Sequence, residues 1–162
     1  MGTASLLYRV VLLLHIGASI VAFGGLIANG VLNARAFNGP SGEGGVVLAA
    51  GRAVSKLADY ALYALLPLGI VLIAVSDDAF GFGDPWVSAS FVVWFAVVGV
   101  THGLVRPAVR TMSEQVDSLG GSGRLADDAT SVAASRKLML GETFTQLLLA
   151  TALILMIWKP GA

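Results

Sequence analysis

Charged residues in this chain fall at intervals and leave four long apolar runs between them. The first, Val10 to Ala34, holds 25 residues without Asp, Glu, Lys or Arg; the second, Tyr60 to Ser76, holds 17; the third, Trp86 to Val105, holds 20. The fourth, Leu138 to Trp158, holds 21 with one charge, Glu142, near its start. A helix rises about 1.5 Å per residue, so about 20 residues cross a hydrocarbon layer of roughly 30 Å. Lipid offers the backbone no hydrogen-bond partners, so such runs must be helices. The pattern predicts an all-α fold, a four-helix transmembrane bundle forming a single membrane domain over residues 1–162. Its spans are expected near 6–34, 57–76, 85–106 and 138–158. The first run is too long for the apolar part of a signal peptide and lacks a clear small-residue cleavage site, so it reads as a permanent span.

The connections set the orientation. Arg35, Arg52, Lys56, Arg106, Arg110, Arg124, Arg136 and Lys137 flank the runs on one side, against Arg9 and Lys159 on the other. Basic loops stay inside, so both termini are expected to be extracytoplasmic, in a bacterial cytoplasmic membrane. Tyr8, Trp86 and Trp158 then sit at the outer interface, as an aromatic belt requires. Pro85 is placed to open the third helix, and Pro67 to kink the second. Residues 107–137 read as a cytoplasmic helical stalk, running to about Leu119, broken at a Gly/Ser hinge over 120–123, and restarting near Asp127 and Asp128.

Composition agrees. The chain is 56% hydrophobic and 12% charged, with a mean hydropathy of +0.83, whereas soluble domains carry about 25% charge. Ten basic residues balance ten acidic ones, which excludes a basic nucleic-acid binder. The absence of cysteine excludes disulfide scaffolds, thiol catalysis, iron–sulfur clusters and thiolate zinc sites. No nucleophile elbow, HExxH motif or P-loop is present, and no catalytic residue is assigned.

Small and polar residues on a membrane helix mark the face that meets other helices. On the first helix that stripe is Tyr8, Val11, His15, Ala18, Ala22, Gly25, Asn29 and Asn33, which directs His15 and Asn29 into the bundle. A polar cluster gathers near the basic end: Asn33, Asp59, His102, Arg106 and Glu142. An ionisable group at the membrane centre costs roughly 2.5–3.5 kcal/mol on insertion scales, so each needs a partner. His102 with Glu142 is the expected pair, and the cluster reads as mainly structural. His15 has no acidic residue at its level and, as a neutral imidazole, is able to ligate a metal. His15 and His102 differ in depth by about 20 Å at the helical rise. One iron within a single bundle cannot take both, which leaves separate sites or a site between two molecules.

Leu14-His15-Ile16 followed by Phe23-Gly24-Gly25 resembles the first helix of an uncharacterised bacterial family of four-span integral membrane proteins. More distantly it is similar to the copper-resistance D membrane domain and to the HemJ-type protoporphyrinogen oxidase, where a first-helix His precedes a Gly pair at a like spacing. The latter resemblance implies haem b, with His15 as the iron ligand beside Ala18, Ala22 and Gly25, and quinone-linked oxidoreductase chemistry if the chain is enzymatic. This sequence departs from those relatives at Val21-Ala22, where a Trp commonly precedes the glycines. Its methionines, Met1, Met112, Met139 and Met156, are scattered and draw no copper path.

Three function classes follow. Short outer loops and small-residue faces suit an accessory or scaffold protein without catalytic activity, packed in a homo-oligomer or a larger membrane complex. The alternative is a haem-b-binding, redox-associated protein using His15. A small transporter comes last, because the charges cluster at one end and the halves show no repeat.

Overall fold

The computed structural model describes residues 3, 5–119 and 123–161, which are helical apart from turns and bends, with no strand among them. The helices are α1 (Leu6–Asn38), α2 (Gly44–Ala74), α3 (Pro85–Val100), α4 (Arg106–Ser118) and α5 (Ala129–Trp158). A π-helical turn, Thr101–Val105, joins α3 and α4 into one rod. The result is four rods, each long and apolar enough to cross a membrane.

Local chemistry explains where these rods begin and bend. Ser5 caps α1 by accepting from the Tyr8 amide at 3.2 Å, and Asp128 caps α5 by accepting from the Ser131 amide at 2.7 Å. Pro85 occupies the first turn of α3, where its missing N–H costs nothing. Pro107 follows the π-turn; a widened turn ahead of a proline relieves the collision between its ring and the carbonyl four residues back. α2 continues across Pro67 as one helix. It begins at Gly44, well before residue 57, because Val46 to Ala50 extend it past the membrane-length run. Between α2 and α3, Asp77 and Asp78 both take left-handed backbone at φ 60°, a conformation short polar side chains tolerate. Ser76 Oγ donates to the carbonyls of Ile73 and Phe80, fastening this turn.

Packing divides the molecule into two antiparallel hairpins. α1 and α2 lie closely together, and α3–α4 packs on α5. The α1–α2 crossing is tightest at Gly25, where a Cβ would stand 2.7 Å from the Ala58 Cβ. Its neighbour Gly24 faces open space. The second hairpin is tightest at Gly141, where a Cβ would stand 2.9 Å from Val105.

Two apolar cores tie the hairpins together. One, at mid-height, comprises Ala22, Leu62, Val93, Val97 and Leu149. The other, at the basic end, comprises Ala36, Leu48, Ala108, Met112, Leu125, Ala134 and Leu138. That second core changes the picture of residues 107–137. α4 is amphipathic and lays Ala108 and a fully buried Met112 on the bundle, so the segment is a packed cap and not a free-standing stalk. Of the expected hinge, Gly120, Gly121 and Ser122 lie outside the described residues, while Gly123 closes against Leu119. The outward faces are strongly apolar, with Leu13, Ile20, Ile27, Val92, Phe95, Leu147 and Ile157 all exposed. Contiguous exposure on this scale marks a surface that meets lipid or other protein, and is consistent with helices that cross a membrane.

Candidate functional site

The bundle holds two cavities of opposite character. Toward the terminal end the hairpins diverge and leave an apolar cleft of about 630 Å³. Its walls are Leu12, His15 and Phe23 from α1, Leu62, Leu66 and Gly69 from α2, Trp86, Phe91 and Trp94 from α3, and Leu149, Ala152 and Met156 from α5. Gly69 makes room for the imidazole: a Cβ there would stand 3.7 Å from His15 Cε1. His15 Nδ1 is buried without a hydrogen-bond partner, and Trp86 Nε1 is in the same condition. A buried polar nitrogen left unmade costs roughly 1–3 kcal/mol, so two on one cleft invite a ligand.

Other groups hold the cleft in shape. Trp94 Nε1 donates to the Leu62 carbonyl at 2.8 Å, pinning α3 to α2. Phe80 and Trp86 stack edge-on at 5.5 Å, and the Lys159 ammonium lies 5.5 Å and 5.4 Å from their ring centres. A cation therefore stands at the rim of an otherwise apolar space.

Of the four residues that the resemblance groups around haem, His15 alone lines the cleft. Ala22 is fully buried in the mid-height core, Gly25 is spent on the α1–α2 crossing, and Ala18 is not on the cleft wall. Close helix packing accounts for the small stripe.

His102 lies elsewhere, as the depth argument requires. Its Nε2 stands 2.9 Å from the Tyr63 hydroxyl and its Nδ1 2.9 Å from the Val98 carbonyl. The expected pairing with Glu142 is therefore not formed. Glu142 instead accepts from Asn33 Nδ2 at 2.8 Å, and Arg106 pairs with Asp59 while also reaching the Tyr63 hydroxyl at 3.4 Å. Equal depth suggests the pair, each residue standing about four positions inside its helix end, but equal depth does not make two side chains face each other: His102 is exposed and turned to Tyr63 of α2. The five polar residues do converge on one end, but as Asn33–Glu142, Asp59–Arg106 and His102–Tyr63. Tyr63 went unrecognised as a partner, although it stands four residues after Asp59 on the same helix face.

The second cavity, about 490 Å³, opens at this end. Asn29, Asn33, Ser55, Asp59, Thr101, Glu142 and Thr145 line it, with Arg52, Lys56, Arg106 and Arg110 also on its walls. Asn29 Nδ2 donates to Ser55 Oγ at 2.6 Å, whereas Asn29 Oδ1, Thr101 Oγ1 and Thr145 Oγ1 are buried without partners. Ala22, Val97 and Leu149 form part of the apolar core between the two cavities.

Among the described residues no three His, Cys, Asp or Glu side chains gather as a metal site. Haem makes a different demand, one axial side chain in an apolar slot. The cleft offers an imidazole whose Nδ1 has no hydrogen-bond partner, aromatic walls, and the Met156 thioether on the α5 side. Its volume falls within the roughly 300–1,000 Å³ of ligand pockets. Comparison of the chain with protein-family models, curated proteins and solved structures returns no match.

Proposed function

We propose that the chain is a multi-pass membrane protein, termini outward in a bacterial cytoplasmic membrane, that binds haem b in the cleft between its two hairpins. One observation carries this reading: His15 Nδ1 is buried and unpartnered on the wall of an apolar, aromatic-lined cleft. His15 would hold the iron, and Met156, which lines the cleft from the other hairpin, would offer a thioether to the same group. Trp86, Phe91 and Trp94 would pack the ring, and Lys159 at the rim offers a cation to the carboxylates that haem carries. Bound haem supplies one-electron chemistry. The residues here bind it, orient it and exclude water, and none of them is assigned a catalytic step.

The accessory reading keeps a specific support of its own. Gly17, Gly24, Gly99 and Gly103 face open space on outward helix surfaces, where small residues let a second helix approach. The two readings separate on a spectrum. Purified in mild detergent from haem-replete cells, the native protein should carry a Soret band that His15→Ala removes. A native protein without visible absorption would leave the accessory reading in place.

A further inference from the structure

The polar cavity has a lining that the haem reading does not use. Two cations on α2, Arg52 and Lys56, face two on α4, Arg106 and Arg110, each pair four residues apart and so on one helix face. Arg106 is neutralised by Asp59, Arg110 is held by Glu114 at 2.8 Å, and Arg52 donates to Ser113 Oγ at 3.3 Å. Lys56 makes no ion pair with any described residue. Deeper in, the character reverses to acceptors. Asn29 Nδ2 and Asn33 Nδ2 each give one hydrogen, to Ser55 Oγ and Glu142 Oε1, while Asn29 Oδ1 and the Glu142 carboxylate keep acceptor capacity. Thr101 and Thr145 are only 4% and 3% exposed and have unengaged hydroxyls.

A cation-lined mouth over an acceptor-rich floor fits a ligand with an anionic phosphate at one end and hydroxyl donors at the other. Neither a simple anion nor a simple cation matches both parts. The cations sit just beyond the apolar runs, Lys56 before Tyr60 and Arg106 after Val105, at the level where lipid phosphates lie. We infer that this cavity binds the headgroup of an anionic phospholipid bearing a polyol, of the phosphatidylglycerol type, from the leaflet at the basic end. The phosphate rests among Lys56, Arg52 and Arg110, and the headgroup hydroxyls donate to Asn29 Oδ1 and Glu142.

The test is thermal unfolding of the full chain in phosphatidylcholine nanodiscs doped with phosphatidylglycerol, phosphatidic acid or phosphatidylethanolamine. Phosphatidylglycerol should raise the melting temperature most, in proportion to its mole fraction. Phosphatidic acid, which has the charge without the polyol, should raise it less, and phosphatidylethanolamine not at all. Lys56→Gln combined with Arg110→Gln, both at exposed positions, should melt as the native chain does in pure phosphatidylcholine yet lose most of the rise. Asn29→Leu should remove the preference for phosphatidylglycerol over phosphatidic acid while keeping the response to charge. An equal rise with both anionic lipids in the native chain would overturn the polyol assignment. An undiminished rise in the double variant would overturn the site. Stabilisation by free glycerol 3-phosphate matching that by lipid would overturn the lipid source.

Discussion

Replacing Gly25 by alanine tests the packing account at its closest point. The new Cβ would stand 2.7 Å from the Ala58 Cβ and 3.4 Å from its Cα, against an optimum near 3.5–4.0 Å for two carbons. Neither contact is the far end of a flexible side chain, so the two helices must separate by up to about 1 Å, judged against that optimum. Overpacking of this kind costs about 1–3 kcal/mol, offset by about 0.5–1 kcal/mol because alanine favours a helix over glycine. The net expectation is a loss of up to about 2.5 kcal/mol relative to the native chain on those two figures, and about 1–3 kcal/mol relative to Gly24→Ala. Gly24→Ala is the internal control, since its Cβ meets nothing within 4 Å and only the propensity gain remains. Thermal unfolding in detergent, followed by the tryptophan signal, should rank the proteins Gly24→Ala, native, Gly25→Ala from most to least stable. Adding Ala58→Gly to Gly25→Ala should recover most of the loss. A Gly25→Ala protein as stable as Gly24→Ala, or no recovery in the double variant, would refute the crossing.

Three further outcomes follow from the polar groups. Glu142→Leu strands the Asn33 amide and should cost about 1–3 kcal/mol of stability, whereas Glu142→Gln keeps an acceptor oxygen and should cost much less; equal losses in unfolding experiments would count against the Asn33–Glu142 bond. Asp128→Ala removes the cap of α5 and should cost about 1 kcal/mol, with amide exchange quickening in the first turn after Ala129; unchanged exchange there would contradict the cap. Tyr63→Phe should alter the imidazole NMR shifts of His102 and leave those of His15 unmoved, because His102 bonds to Tyr63 while His15 lines the apolar cleft, whose wall includes neither Tyr63 nor His102; a response at His15 would contradict that separation.

Much of the fold was legible because each rod contains a long apolar run, a pattern that in lipid admits only a helix. The π-turn was not. It arises where Pro107 follows a continuous helical pattern, which carries no sign of a widened turn. The packed cap was missed for a similar reason: polar residues dominate 107–137, and the buried Met112, Leu125 and Ala134 are spaced across two helices and a turn. At the candidate site, the inward direction of His15 was readable from its stripe. The cleft beside it was not, because it arises where two hairpins part, and Trp86, Trp94, Gly69 and Met156 come together from three different helices. The Gly-Gly pair shows how adjacent residues divide: Gly25 serves the helix crossing and Gly24 faces outward, a distinction that only packing reveals.

His15 is the polar anchor of the proposed haem cleft. The most direct measurement is the absorption spectrum of the protein purified in mild detergent, oxidised and then reduced with dithionite, beside that of His15→Ala prepared identically. The account predicts a Soret band with sharpened reduced bands at near-stoichiometric haem in the native protein, and its loss in the variant. A featureless native spectrum from haem-replete cells, or a Soret band unchanged by the substitution, would contradict it.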